Sequence, residues 1–348
     1  MAAQNTHEPL YDDRPSERSR AETMAAGAEL RGLAARRPKS LFMGCFGWKE
    51  PAWRGLIYTK TSGEQSIFSE EGLAAYAAHP LVNCLSLERG YYRPYRAREL
   101  SALAACVPEH FRFLVRAPQT VTDVMLRDRW GNAKGPNPDY LNPDEAARFI
   151  SETARGLGEK CGAVVFEMAP PPKGAIRSTG DAVRLTEHIA RFAAEVQERN
   201  LAGLTLAVEL RSTRLLTPRL LSGLKDAGVR YSVGLHMLMP GILRQTSALK
   251  RYEGVPDDVA DWALSAPLII RWSRSAALSH VNFRAGERLW ASDPLTRSGI
   301  VSLLLRAAAG GQEAYLAVSD RAEGSAPRTL LSILSEYAES AAAARRGA

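Results

Sequence analysis

Charged side chains interrupt short apolar stretches of this sequence at positions where they could do chemistry. In "LAVELR", Glu209 breaks an apolar run, and Arg211 follows two residues later on the same face of an extended strand. A carboxylate in such a run must be paired or hydrogen-bonded, because burying it alone is costly. The pattern predicts either a catalytic acid or base, with Arg211 holding substrate, or a structural Glu–Arg pair.

Further arginines stand at the ends of apolar runs, namely Arg116 in "FRFLVRAP" and Arg271 and Arg274 in "LIIRWSR". Guanidinium groups bind carboxylate and phosphate well, so their convergence would suit a small anionic substrate. Internal salt bridges with nearby glutamates are the alternative, and both arrangements can hold at once. The glutamates concerned also end apolar runs, and the first two are predicted to contact substrate: Glu88, Glu167 and Glu209.

A histidine, two tryptophans and an aspartate complete the set of candidates. His236 ends "VGLH", where an imidazole is suited to proton exchange near neutral pH, although a hydrogen-bonded core histidine would show the same pattern. "GCFGWKEPAWRG" predicts a loop of defined shape after the first strand. In it, Trp48 is expected to line a pocket and Trp53 to pack against the rest of the loop. Asp320, after "YLAVS", is predicted to bind substrate. Cys45 would be a nucleophile only beside a base or cation, and the sequence shows none.

Composition narrows the classes of function. Lys and Arg number 45 against 38 Asp and Glu, giving a net charge of +7, but no dense basic block occurs, so nucleic-acid binding is not indicated. The 4 cysteines and 6 histidines are scattered, so we expect no metal and no cofactor. No apolar stretch reaches the ~18–20 residues that span a bilayer. We therefore expect a cytoplasmic protein without a membrane partner, and the oligomeric state stays open.

These candidates need a scaffold that brings strand ends together. Residues 1–39 mix charged and polar residues and are predicted to form an arm that is disordered or partly helical. From residue 40 to 343, apolar runs of strand length alternate with helical patterns. The predicted strands are 40–46, 81–88, 111–117, 161–168, 204–210, 229–236, 267–273 and 313–320. The predicted helices lie near 69–79, 97–106, 181–199, 218–227, 257–264, 294–309 and 327–343, and one more begins at Pro143 with Asn142 as its N-cap.

Eight strand-then-helix units over about 300 residues predict a single closed (β/α)8 barrel of the TIM type. The strands are nearly continuous apolar runs, which is typical of parallel strands buried on both faces. A doubly wound open sheet is the rival, but no strand is followed by a glycine-rich phosphate-binding motif. In such a barrel the site forms at the carboxyl ends of the strands, where the candidates above lie. The segment 129–140 is predicted to be a lid carrying Trp130, or a loose insertion.

Seven sequence blocks, in order, resemble those of the YecE-like family, domain of unknown function 72, over about residues 41–335. The blocks are "GCFGWKEPAWRG", "LERGYYRPY", "FRFLVRAPQTVTD", "VVFEMAPPP", "LAVELRS", "PLIIRWSR" and "YLAVSDRAEGSAP". The resemblance implies a TIM-type barrel and supplies no reaction. It also indicates a divergent member, because Glu209, Arg211 and Arg271 match the family pattern while other polar positions differ. The differing positions are Ser86, Glu88, Arg116, Asp123, Glu167, Ser212, Ser273, Arg274, Ser319 and Asp320.

The leading hypothesis is a metal-independent enzyme of lyase, hydrolase or isomerase type that acts on a small anionic metabolite, heterocyclic ones included. In it, Glu209 and His236 exchange protons while arginines bind negative charge. One alternative is a non-catalytic barrel that binds a ligand or a protein. Another is metal-dependent phosphodiester or sugar chemistry, which rests only on analogy with other barrels.

Overall fold

The structure is a computed structural model that describes residues 20–128, 130–278 and 284–347. Outside the described residues lie 1–19, which are about half of the expected arm, Arg129 of the expected lid, and residues 279–283 and 348. Ten strands are described: β1 (Leu41–Phe46), β2 (Cys84–Leu87), β3 (Arg112–Arg116), β4 (Met125–Arg127), β5 (Ala133–Pro136), β6 (Cys161–Glu167), β7 (Leu206–Glu209), β8 (Arg230–Leu235), β9 (Leu268–Trp272) and β10 (Ala314–Val318).

Eight of these strands close into a parallel barrel in the order β1, β2, β3, β6, β7, β8, β9, β10 and back to β1. The predicted TIM-type fold is therefore confirmed. Helices surround the barrel, and the described chain contains the following: α1 (Ala28–Arg36), α2 (Glu64–Phe68), α3 (Glu70–Ala78), α4 (Ala97–Ala105), α5 (Gln119–Thr122), α6 (Pro143–Leu157), α7 (Thr179–Glu198), α8 (Pro218–Asp226), α9 (Ile242–Glu253), α10 (Pro294–Ala309) and α11 (Ala326–Gly347). None of them is long and apolar enough to cross a membrane.

Side-chain alternation along the strands divides the core into two layers. One set of residues packs against the helices, and the other set points into the barrel, where Phe42 stacks on Tyr315 with ring centroids 5.0 Å apart. Small side chains such as Ala163 and Ala207 leave room for these rings. The inner apolar set consists of Phe42, Cys84, Leu114, Ala163, Val165, Ala207, Ile269, Tyr315 and Ala317. This filling closes the barrel below its carboxyl end and leaves that end as the place for a site.

One predicted helix is wrong. The sequence indicated a loop followed by a helix at 257–264, whereas the chain forms α9 at Ile242–Glu253 and no helix at 257–264. The helix buries Ile242, Gln245 and Leu249 on one face, and it ends at Gly254, whose φ of 79° is the left-handed conformation of a helix C-terminus. The helical spacing of buried residues is thus present in the sequence at 242–253, just before the segment where the helix was predicted.

Two other segments refine the predictions. Part of the arm forms α1, whose Leu33 is buried against the core. The segment expected to be a lid or an insertion belongs to the hairpin of β4 and β5, with Trp130 72% exposed in its turn. The buried Asp123 carboxylate anchors this hairpin, because it accepts hydrogen bonds from Tyr91 Oη (3.1 Å) and Arg127 Nε (2.7 Å).

The close approach of β1 to β2 gives a stability prediction. A Cβ atom at Gly44 would lie 1.8 Å from the carbonyl oxygen of Cys84, its partner in the sheet, so Gly44→Ala must push two strands apart. We expect a loss of about 1–3 kcal/mol or more in the free energy of unfolding, measured with urea. Gly32→Ala in α1 is the matched control, because nothing lies within 4 Å of its Cβ position and alanine favours helix. Equal stability of the two variants would contradict this account.

Candidate functional site at the carboxyl end of the barrel

A layer of three arginines and three glutamates lies at the carboxyl end of the barrel, directly above the apolar interior. Four members lie in β3, β6, β7 and β9, and two lie just after β2 and β7: Glu88, Arg116, Glu167, Glu209, Arg211 and Arg271. The barrel places these strand ends side by side, and in register Glu167 is paired with Glu209. The three positive and three negative charges balance.

Arg271 is the centre of this layer and is fully buried. Its Nη2 atom donates to Glu88 Oε1 at 2.6 Å, and its Nη1 atom donates to Glu167 Oε2 at 2.8 Å and to Glu209 Oε2 at 2.7 Å. The guanidinium also lies 4.8 Å from the centroid of the Phe46 ring. One buried cation therefore holds three carboxylates from different strands.

Among the glutamates, Glu167 is the one that contacts all three arginines of the layer. Its carboxylate contacts Arg116 Nη2 at 2.7 Å and Arg211 Nη2 at 2.8 Å, in addition to Arg271. Arg211 Nη2 also lies 2.8 Å from Glu209 Oε1. The predicted internal salt-bridge network thus exists, and it contains all the strand-end glutamates named from the sequence.

Glycine on β8 makes room for Glu209. A Cβ atom at Gly234 would lie 2.6 Å from Glu209 Cγ, so a larger residue would displace the carboxylate from Arg271. Ser232, opposite Glu209 in the parallel register, has a buried Oγ atom that makes no hydrogen bond within the described chain. The side chain of Glu209 therefore lies against small, partly unsatisfied neighbours on one side and against arginines on the other.

The two inner carboxylates have opposite pKa shifts. Burial alone would raise the pKa of Glu167, but Arg116, Arg211 and Arg271 together hold it well below its ordinary value. For Glu209, burial raises the pKa, the neighbouring Glu167 raises it further, and Arg211 and Arg271 only partly offset these effects. Glu209 is therefore the member of the pair that takes up a proton more readily.

Several buried polar atoms of the network have no hydrogen-bond partner among the described residues. They are Arg116 Nε, Arg211 Nη1, Arg271 Nε, Ser232 Oγ and Glu209 Oε1, the last of which is close to Arg211 Nη2 as an ion pair but not in hydrogen-bond geometry. Buried donors without acceptors are rare in proteins, and they concentrate here where three guanidinium groups meet. The charges of the network thus balance, but several guanidinium N–H groups remain without an acceptor among the described residues.

His236 and Arg274 stand beside Arg211, and we call these three residues the anion corner. Burial lowers the pKa of the half-buried His236 to about 4, and the positive charges of Arg211 and Arg274 add to this effect. The Leu238 amide donates to His236 Nδ1 at 3.1 Å, so the proton of the neutral ring is on Nε2. At pH 7 His236 is therefore a neutral hydrogen-bond donor. It does not titrate near neutral pH, contrary to what the sequence had suggested. The Arg274 side chain has no hydrogen bond or ion pair within the described chain.

On the opposite side of the mouth, a cavity of about 720 Å³ opens beside Glu88. Trp48 and Trp53 both line it, so Trp53 contributes to the cavity as well as packing the loop. Trp48 Nε1 donates to the Ser69 carbonyl at 3.0 Å, and Trp53 Nε1 donates to Asp320 Oδ1 at 3.2 Å. We call this space the aromatic cavity. Its lining includes Trp48, Glu50, Trp53, Glu88, Tyr95 and Asp320.

Sequence reasoning missed two contributors, Glu50 and Tyr95. Both lie in blocks that it had already singled out, "GCFGWKEPAWRG" and "LERGYYRPY", but neither ends a strand. Cys45 is fully buried, and burial raises the pKa of its thiol well above the ordinary value, so it has no nucleophilic character. No group of three or more metal-ligating side chains occurs within residues 20–128, 130–278 and 284–347.

The opposite pKa shifts give a pH-dependent stability prediction. At pH 7, Glu167→Gln should cost about 3–5 kcal/mol, because it leaves three buried arginines short of a carboxylate. Glu209→Gln should cost less, because its pKa is raised and its charge is less stabilised. The contribution of Glu167 is present above its ordinary pKa of 4.5 and is lost as the pH falls below it, so the gap between variants should narrow in acid. Urea unfolding at several pH values measures this, and a larger cost for Glu209→Gln at pH 7 would contradict it.

Comparisons with known proteins agree with this geometry at the level of the fold. A crystal structure of a DUF72 family protein from Enterococcus faecalis V583 aligns with a TM-score of 0.54 and 14% identity, covering 85% of this chain and 95% of that one. A DUF72 family protein from Thermotoga maritima MSB8 aligns with a TM-score of 0.52 and 14% identity, covering 84% and 97%. Such low identities show a shared fold alone. No curated protein matches the sequence.

The sequence also matches a family model directly. The model described as "Protein of unknown function DUF72" covers residues 42–347, which is most of the chain. The resemblance noted from seven sequence blocks is thereby confirmed. The protein belongs to the DUF72 family.

Proposed function

We propose that this protein is an enzyme that binds a small anionic metabolite in the mouth of the barrel and moves a proton on it. The observation that carries the proposal is the anion corner. There, the Arg274 guanidinium has no partner within the described chain, the buried Arg211 Nη1 has no acceptor, and the neutral His236 presents Nε2–H. Three donors at one edge of a closed barrel suit a phosphate or carboxylate group.

The remaining arginines have a different role in this proposal. Arg116 and Arg271 are paired with glutamates, so their charges position carboxylates. Arg211 is paired with Glu167 and Glu209 through Nη2, but its Nη1 has no acceptor among the described residues. This shifts the binding of negative charge from those two residues toward Arg211 and Arg274. A charge-neutral network also spares the site the strong repulsion that free arginines would cause among themselves.

Glu209 is the proposed base. A carboxylate with a raised pKa, fixed by two arginines, accepts a proton more readily than the neighbouring Glu167. His236 donates from Nε2 to an oxygen of the substrate and stabilises charge that develops there, and it remains uncharged at pH 7. The pair thus divides proton removal and charge stabilisation between two strands, β7 and β8.

Removal of the Arg274 charge, which has no partner among the described residues, tests the anion corner. Arg274→Gln should abolish or strongly reduce the thermal stabilisation that wild type gains from phosphate, sulfate or small carboxylates. A ligand at about 100 times its Kd adds roughly 2.7 kcal/mol, which is readily measured. Arg191→Gln, which removes the same charge from the exposed surface of α7, should keep the full stabilisation. Equal stabilisation of wild type and Arg274→Gln would place the anion elsewhere.

Loss of the base tests catalysis separately from binding. With an anion that stabilises wild type, Glu209→Gln should still bind but lose turnover by about 100-fold or more, the usual contribution of general acid–base catalysis. Circular dichroism and urea unfolding of the variant establish that the barrel remains folded. Retained turnover would remove Glu209 from the mechanism. Binding without turnover in wild type, across the panel, would favour a ligand-binding barrel.

A further inference from the structure

The aromatic cavity has a composition distinct from that of the anion corner. Trp48, Trp53 and Tyr95 give it broad apolar walls, while Glu50, Glu88 and Asp320 supply carboxyl groups. Flat aromatic walls favour a flat ring over a flexible chain, because a ring contacts them without losing conformational freedom. Glu88 belongs both to the cavity and to the arginine–glutamate network, so the two parts of the mouth are contiguous.

The two oxygens of Asp320 have different environments. Oδ1 accepts hydrogen bonds from Trp53 Nε1 at 3.2 Å and from the Ala326 amide, at the start of α11, at 2.6 Å. Oδ2 makes no hydrogen bond within the described chain, and the residue lines the cavity. A carboxylic acid whose carbonyl oxygen accepts two bonds has its hydroxyl on the other oxygen, which is here the one left for the cavity.

The surroundings of Asp320 favour the protonated form. The cavity lining around it contains the charged and titratable groups Lys49, Glu50, Glu70, Glu88, Arg89, Tyr95, Arg98 and Glu99; Cys45 in β1 also interacts with it, and Arg321 and Glu323 lie in its own loop. Burial, with a smaller contribution from the charge of Glu50, raises the pKa of Asp320 to about 6 despite the lowering by the two hydrogen-bond donors. Glu323 is engaged by Arg297 at 2.6 Å. At pH 6 about half of Asp320 is therefore a neutral acid, and this share falls to about a tenth at pH 7.

We propose that Asp320 is the proton donor of a second subsite, in which the aromatic cavity holds a flat ring that presents a hydrogen-bond acceptor to Oδ2–H. This deepens the proposed function and rests on it, because it makes the substrate a ring with an acceptor atom that also carries, or adjoins, an anionic group. If the proton is transferred, it passes from Oδ2 to a lone pair of the acceptor. The carboxylate left behind is stabilised by Trp53 Nε1–H and the Ala326 amide, and solvent returns the proton.

The protonation of Asp320 can be followed through its indole partner. Trp53 fluorescence should change with a midpoint near pH 6 in wild type, because its Nε1–H donates to a carboxyl that changes charge. Asp320→Asn should lose this transition, and Glu50→Gln should keep it with a lowered midpoint, since it removes the neighbouring negative charge. No transition between pH 4.5 and 8, or one that survives in Asp320→Asn, would overturn the protonated acid.

Matched ring probes test the subsite itself. Nicotinamide and benzamide have the same shape and differ in one ring nitrogen acceptor, and both are uncharged between pH 5 and 8. By ligand-observed NMR, nicotinamide should bind wild type about fivefold more tightly at pH 5 than at pH 8, the effect of one net hydrogen bond. Benzamide should show no such dependence.

Variants separate hydrogen-bond donation from a structural role. Asp320→Asn keeps an oxygen for Trp53 and Ala326 and places an amide donor toward the cavity, so it should bind nicotinamide tightly at both pH values. Asp320→Ala should bind it weakly at both. No measurable binding of either probe, or the same pH dependence for both probes, would overturn the subsite. The probes carry no anion, so Arg274→Gln should bind them normally, and failure of the anion corner is distinguishable from failure here.

Discussion

The buried guanidinium of Arg271 is the constraint on which the mouth of the barrel depends. A cation without exposure to solvent is tolerated only where carboxylates surround it, and Glu88, Glu167 and Glu209 provide three. Those glutamates in turn require further arginines, because three negative charges in one layer would repel each other. The layer therefore closes on itself with balanced charge, and it fixes the ends of the strands that carry it.

Charge balance divides the mouth into parts with different chemistry. Where the network is complete, it presents no net charge to a ligand. Where it is incomplete, Arg211 Nη1 and the Arg274 side chain have no partner among the described residues, and in the proposed enzyme they bind the anion. On the other side, beyond Glu88, indole and phenol rings replace guanidinium groups. A ligand that spans the mouth would thus meet positive charge at one end and flat apolar walls at the other.

Proton exchange in the proposed enzyme follows from the same division. Glu209 is a buried and Asp320 a half-buried carboxyl group, and both have raised pKa values, but one faces arginines and the other faces indole and a helix N-terminus. His236 is shifted the opposite way, since burial and two arginines keep it neutral. Groups whose environments separate their pKa values in this manner can divide the roles of acid and base at one pH.

The sequence by itself determined the barrel and the composition of its mouth. Eight apolar runs alternate with helical patterns because burial on both faces of a parallel strand is a local property, and the charged residues that end those runs are visible as interruptions. The helical spacing of the buried residues of α9 is also present in the sequence, although the helix was predicted at 257–264. The charge at Glu209 and its possible pairing with Arg211 were likewise apparent, but its pairing with Arg271 was not.

Only the tertiary structure decided which charges meet. Arg271 binds Glu88, which lies 183 residues away along the chain, and Trp53 donates to Asp320 across 267 residues. Such pairs depend on strand order and register around a closed sheet, which no local pattern encodes. The pKa shifts follow from those pairings, because they depend on burial and on the distances between charges, and so does the lack of a partner for Arg274 among the described residues. Residue types at strand ends are thus set by sequence, and their chemical states by the closure of the barrel.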